Sequence, residues 1–165
     1  MTLADLLRGD SVFVYANTFV YHFEPHAVFG PPCTDLPKRI ELKDLSGFTS
    51  THVLSEVAHR LMTMEASVMF NWPSKIVKRL QQNPASVQQL AQFRSALQKV
   101  PQMGIQTLTI LPTWLDTAAA ISQQAGLLSN DALIVAVMQA TGLTQIASED
   151  DDFDRVPGIT RYAPA

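Results

Sequence analysis

Hydrophobic and polar positions along this chain switch between two periods. Ser11-Val-Phe-Val-Tyr15 is short, β-branched and aromatic, which predicts a buried first strand. A Pro/Gly-bearing loop is expected at His26 to Cys33, then a helix from Thr34 to Leu45 with Pro37 suited to its first turn. Phe48-Thr-Ser50 reads as a short strand. From Thr51 to Ala66, Val53, Leu54, Val57, Ala58, Leu61 and Met62 make one apolar stripe, the mark of an amphipathic helix. Pro73 to Gln82 and Pro84 to Lys99 predict two further helices, each with proline near its start, that pair as a helical hairpin. Gln106 to Leu111 predicts a strand, and Pro112 to Gln124 a helix ending at Gly126. Ser129 to Thr141 is a helix closed by Gly142. Its segment Ala132-Leu-Ile-Val-Ala-Val-Met138 is apolar on all sides, so it belongs in the interior. Thr144 to Ser148 and Ile159 to Tyr162 complete the strands. Strands alternating with helices predict an α/β fold, with a largely parallel central sheet covered on both faces.

Composition narrows the class. The 165 residues are 47% hydrophobic and 16% charged, which suits one globular domain spanning the chain. A net charge of −3 supplies no overall basic field, so nucleic acid binding needs a local patch. The one cysteine, Cys33, makes no intramolecular disulfide. Charges in the first ten residues argue against a signal peptide, and no apolar run is long enough to span a bilayer. A cytoplasmic protein without a membrane anchor is expected. Phosphate-binding glycine loops and nucleophile-elbow motifs are both missing.

Acids carry the candidate chemistry. In a parallel α/β fold, sites form beyond the carboxyl ends of strands. Glu56 lies on the helix after Phe48-Thr-Ser50, Asp131 opens the helix after Gly126-Leu-Leu-Ser-Asn, and Glu149-Asp-Asp-Asp-Phe-Asp154 follows the strand ending near Ser148. Each has a plain structural explanation. Glu56 shares a polar face with His52, Ser55, His59 and Arg60, Asp131 favours a helix N-terminus, and an acidic run suits a surface loop. The run is the harder to dismiss, because five carboxylates in six positions repel one another and a divalent cation relieves them. Oxygen ligands, with no cysteine nearby and histidines as far apart as His52 and His59, favour Mg²⁺ or Mn²⁺ over Zn²⁺.

Four segments together resemble the PIN-domain ribonucleases. Val12-Phe-Val-Tyr-Ala-Asn17 is similar to the family's opening strand. Ser50-Thr-His-Val-Leu-Ser-Glu56 resembles the segment carrying its second acid, Leu128-Ser-Asn-Asp-Ala-Leu133 that carrying the third, and Ala147-Ser-Glu-Asp-Asp-Asp-Phe-Asp154 that carrying the fourth. Their order and spacing match over nearly the whole chain. The resemblance extends to the toxins of bacterial toxin–antitoxin pairs. It implies a PIN-like fold and hydrolysis of RNA with Mg²⁺ or Mn²⁺. It further implies Glu56, Asp131 and Asp150 as ligands or ligand-orienting acids and Asp152 as an auxiliary acid. Asn17 would bond to a ligand or its water, and Ser148 would orient a carboxylate or phosphate. RNA, a cognate antitoxin and a second copy of the chain are the partners it implies, with the hairpin at Pro73 to Lys99 offering an apolar face.

One position departs from the pattern. Tyr15 stands where the family has its first aspartate. A neutral phenol replaces a carboxylate and brings a ring into the cavity, so weaker metal binding and impaired catalysis are expected. A long-degenerate site and a single-base codon change, selected because an active toxin poisons its host, both lead to tyrosine here. A silent PIN module that binds RNA or a protein is the alternative, and an unrelated α/β protein with an acidic loop is the third reading. Arg155 and Arg161 are candidates to hold RNA phosphates. Lys75, Lys78 and Arg79 read as a solvated face, and Trp72 and Trp114 as packing residues.

Overall fold

The computed structural model describes residues 1–24 and 26–165. Its strands are β1 (Ser11–Val14), β2 (Ser46–Ser50), β3 (Gln106–Leu108), β4 (Gln145–Ala147) and β5 (Thr160–Tyr162). They form one sheet in the order β3-β2-β1-β4-β5, with every neighbouring pair parallel. Helices α1 (Ala16–Phe23) and α2 (Gly30–Glu41) join β1 to β2, and α3 (Thr51–Met69), α4 (Ile76–Gln82), α5 (Pro84–Val87) and α6 (Gln92–Lys99) join β2 to β3. Helices α7 (Thr113–Ala125) and α8 (Ser129–Thr141) return the chain to β4. Parallel crossovers are right-handed, and the direction along the sheet reverses after β3. The α1–α6 connections therefore lie on one face and the α7–α8 pair on the other, as expected for an α/β fold covered on both faces. The two ends of the chain meet, because Leu3 N–H donates to the Ala163 carbonyl at 2.9 Å and Ala163 N–H to that of Met1 at 2.9 Å.

Val12, Phe13 and Val14 are buried at the sheet centre, and α8 is buried from Asp131 through Met138. The all-apolar helix is the central one, as its composition predicts. A smaller cluster of Ala66, Leu80 and Leu90 lies beyond, with Trp72 packed against it and the Arg79 guanidinium 5.6 Å above the Trp72 ring. Cys33 is fully buried, and burial alone pushes its thiol up to about 12, which leaves it inert. Among the described residues, no helix is long and apolar enough to cross a membrane.

Several boundaries differ from those expected. The loop expected at His26 to Cys33 ends early, because α2 begins at Gly30, where Pro31 and Pro32 fit a first turn that needs no amide donors. Pro37 then falls inside α2 rather than in its first turn; the missing bond is offset by burial of Cys33, Leu36 and Ile40. Helix α1 has no counterpart in the sequence reading. The first predicted hairpin helix starts at Ile76 rather than Pro73, and the second divides into α5 and α6. Glu65 accounts for the division. Its side chain reaches from α3, and its two carboxylate oxygens accept the backbone N–H of Ala91 at 2.9 Å and of Gln92 at 3.0 Å, capping α6.

Gly47, opposite Val12 in the sheet, admits the Ile40 side chain against its Cα. A Cβ there would stand 2.6 Å from Ile40 Cδ1 and 3.0 Å from its Cγ2. Gly47→Ala is expected to lower stability by about 1–3 kcal/mol, read as a fall in the urea midpoint at unchanged slope, with Gly47→Ala/Ile40→Val recovering part of the loss.

Candidate metal centre

The sheet order changes direction between β1 and β4, and a crevice forms where two such strands diverge at their carboxyl ends. Four segments meet there. β1 delivers Tyr15 and then Asn17 at the start of α1, α3 delivers Glu56, the first turn of α8 delivers Asp131, and the turn after β4 delivers Ser148, Asp150 and Asp152. Tyr15 N–H donates to the Ala147 carbonyl at 3.1 Å, extending the β1–β4 ladder to the crevice floor.

The loop after β4 is organised from within. Ser148 is fully buried, and its Oγ accepts from Asn17 Nδ2 at 3.1 Å and from Asp150 N–H at 3.0 Å. Asn17 Oδ1 accepts from Glu149 N–H at 3.3 Å, and Asp150 Oδ1 caps a 3-10 turn through Asp152 N–H at 3.0 Å. Asn17 and Ser148 thus grip the backbone of the acidic loop, where the family resemblance implied contact with a ligand or a phosphate.

Tyr15 stands among the acids. It is 95% buried, its ring meets Phe153 edge-on at 5.1 Å, and its hydroxyl donates to Asp131 Oδ1 at 2.6 Å. Burial, the bond to Asp131 and the charges of Glu56, Asp131 and Asp150 all push the phenol above its ordinary range, so it stays a neutral donor. Glu56 is raised by burial and by the charges of Asp131 and Asp150, against the lowering effect of Arg60 and His52. Asp131 is raised by burial and by Asp150 and Asp152, although the Tyr15 bond favours its charged form. The three acids expected to converge share one electrostatic environment.

This donor set fits a divalent cation in part. Glu56 Oε2 is buried without a hydrogen-bond partner, and burial first, then the neighbouring acids, raises both Glu56 and Asp131. Against this, the Tyr15 hydroxyl holds one oxygen of Asp131, and Arg155 Nη2 holds Asp152 Oδ1 at 2.6 Å. Among the described residues, Asp150, Asp151 and Asp152 are the one trio of such groups whose ligand atoms lie within 4.8 Å of one another. Glu56 and Asp131 stand outside that trio, so the expected ligands share a crevice without closing on one point. Arg155 and Arg161 both pair with acids of the loop, on Asp152 and Asp154, which corrects the expectation that they are free for phosphates. Sequence reasoning placed His52 on a polar face; its Nε2 is instead buried without a partner, one helical turn before Glu56.

Because folding raises Glu56 and Asp131, the folded state holds their protons more tightly than the unfolded chain. Their contribution to stability is complete below the ordinary carboxylate range and is lost as pH rises through the raised values. Asp131→Asn is therefore expected to raise the melting temperature at pH 7.5 and to lessen its gain on acidification to pH 5; an unchanged profile would show that Asp131 carries no such strain.

A sequence model of the PIN domain matches residues 16–159, most of the chain. No curated protein sequence matches it. Among solved structures, it is similar to VapBC2 from Rickettsia felis bound to a DNA fragment from their promoter, at a TM-score of 0.58 and 15% identity, covering 93% of this chain and 98% of that one. It is also similar to VapC20 from Mycobacterium tuberculosis, a toxin that cleaves the sarcin–ricin loop, at 0.56 and 17%, covering 87% and 92%. A toxin–antitoxin complex from Klebsiella pneumoniae gives 0.51 and 16%, covering 90% and 95%. At these identities the likeness is one of fold, and it agrees with the sequence match: the chain belongs to the PIN-domain family.

Proposed function

We propose that this chain is a metal-dependent endoribonuclease of the toxin type, held far below its potential activity by Tyr15. The carrying observation is the 2.6 Å hydrogen bond from the Tyr15 hydroxyl to Asp131, inside a crevice that also brings Glu56 and Asp150 to bear on that hydroxyl. Glu56, Asp131 and Asp150 would hold Mg²⁺ or Mn²⁺, with Asp152 as an auxiliary acid once released from Arg155. The bound ion would supply Lewis-acid polarisation of a phosphodiester and a more acidic water. The chain's own part is to fix that point. Asn17 and Ser148 hold the loop carrying Asp150, α8 presents Asp131, and Glu56 keeps an oxygen without a partner. Tyr15 works against all three, as a neutral donor where an anionic acceptor is needed.

The snug seat of Tyr15, edge-on to Phe153 with its hydroxyl satisfied, favours a second reading, a PIN module that binds RNA or protein without cleaving. A partner has surface to use in either case. A groove of about 260 Å³ between α3 and α4–α5 is lined by Met62, Val77, Leu80 and Val87, and Val68 and Met69 lie exposed near the end of α3. An antitoxin helix is the occupant we expect there, with a second copy of the chain as the alternative. The deciding experiment incubates the chain, Tyr15→Asp and Tyr15→Asp/Asp131→Asn with mixed cellular RNA, with Mg²⁺ or Mn²⁺ and with chelator. Cleavage by Tyr15→Asp alone supports the nuclease; silence of all three moves the assignment to the binding module.

A further inference from the structure

Arg161 on β5 makes more contacts in the acidic loop than any residue the family resemblance singles out. Its Nε and Nη2 donate to Asp154 Oδ1 and Oδ2 at 3.0 and 2.8 Å, a fork-to-fork pair. Its Nη1 lies 3.4 Å from both the Ser148 and the Glu149 carbonyl oxygens. The Arg161 side chain is only 17% exposed, whereas Asp154, at 55%, opens one side of the pair to solvent. Ser148 and Glu149 begin the loop and Asp154 closes it. One guanidinium therefore ties both ends of the segment that carries Asp150 and Asp152. It approaches from the edge strand, on the side opposite the grip of Asn17 and Ser148.

We propose that Arg161 is a positioning residue, a clamp that fixes the acidic loop so that Asp150 is aimed into the crevice. The physical case rests on charge and on rigidity. Five carboxylates in six positions repel one another, and that repulsion favours a looser loop. Arg161 removes the charge of Asp154 from that balance. It also approaches the Ser148 and Glu149 carbonyls just beyond Ala147, the last residue of β4. Partners that orient a ligating carboxylate in this way are commonly worth about 10–100-fold in metal affinity. A lysine can neutralise Asp154 but cannot fork to it and reach the two carbonyls together, so the geometry calls for arginine.

The clamp can be tested apart from cleavage, although its consequence for metal rests on the nuclease reading. Arg161→Gln, Arg161→Lys and Asp154→Asn are made in the full chain, each with and without Tyr15→Asp. Amide hydrogen exchange is followed at Asp150 and Asp152, whose N–H groups are bonded to Ser148 Oγ and Asp150 Oδ1. Mn²⁺ binding is followed by electron paramagnetic resonance. Arg161→Gln is expected to speed exchange at both amides at least about tenfold, leave α8 amides unchanged, and weaken Mn²⁺ binding in the Tyr15→Asp form about tenfold. Arg161→Lys and Asp154→Asn should fall between. Faster exchange with no Mn²⁺ bound by any form would keep the clamp and sink the nuclease reading. Unchanged exchange at Asp150 and Asp152 in Arg161→Gln, or a uniform rise across α8 as well, would overturn the clamp.

Discussion

Tyr15→Asp is expected to raise metal-dependent RNA cleavage by at least about 10²-fold, the cost of a misplacement of about 1 Å in an active site. Two effects add. The first is charge: the substitution removes a donor from Asp131 Oδ1 and adds a carboxylate facing Glu56, Asp131 and Asp150, so the site gains both a ligand and a stronger attraction for the cation. The second is space: a ring packed edge-on against Phe153 gives way to a side chain short enough to leave room for an ion and its water. The same change has a cost when no metal is present. It empties part of the core and sets four acids against one another, so in chelator Tyr15→Asp should be less stable by about 3 kcal/mol, the scale of large-to-small core substitutions. Excess Mn²⁺ should return most of that, because an ion bound only by the folded chain stabilises it. The paired measurements are cleavage rates and melting temperatures, each with metal and with chelator. Equal metal-dependent cleavage by the two forms would show that position 15 is not a required ligand.

Glu65→Ala should produce the largest loss of stability outside the crevice, about 3 kcal/mol. Glu65 is 5% exposed, and both its oxygens accept backbone amides, at Ala91 and Gln92. Hydrogen bonds to a charged group are worth about 1.5–3 kcal/mol each, and alanine leaves both amides without a partner. It also removes the negative charge at the start of α6, where the helix dipole favours one. Glu65→Gln keeps one acceptor and turns an amide group toward an N–H, so roughly half the loss is expected. Urea unfolding measures the difference, and amide exchange at Ala91 and Gln92 should localise it to α6. A loss of less than about 1 kcal/mol, the net worth of one ordinary hydrogen bond, would show that the cap is dispensable.

How much of this was readable in the sequence depended on the range of the cause. Helix α8 was legible to the residue because its stop is local: Gly142 adopts φ 73° as its cap, and Gly126 likewise closes α7 at φ 68°. Helix α1 was not, since it begins directly off β1, with Tyr15 at its N-cap giving no side-chain capping bond. The division between α5 and α6 was hidden for another reason. Its cause is Glu65, an acid in mid-helix that looks like any solvated residue until the chain 26 positions later folds back on it. The candidate site followed the same rule. That Glu56, Asp131 and Asp150 lie toward one end of the sheet could be expected from their places after strand ends; that they would stop short of a common point, with Glu56 and Asp131 outside the close trio of Asp150, Asp151 and Asp152, could not. The hydroxyl of Tyr15 on Asp131, 116 positions away, could not, nor could the use of Arg155 and Arg161 on their neighbouring acids.

The order of the strands also sets when the crevice comes into being during synthesis. β1 lies at the centre of the sheet, yet Val12 pairs on one side with Gly47 and on the other with Gln145. At about 5–20 residues per second on the ribosome, the first strand waits on the order of ten seconds for that second neighbour. Until then Tyr15, Asn17, Glu56 and Asp131 exist without Ser148, Asp150 or the strand that brings them close. A truncated or stalled chain ending before β4 carries Tyr15, Glu56 and Asp131 but neither Ser148 nor the acidic run after it. During synthesis the group of acids therefore stays incomplete until the segment after β4 has emerged.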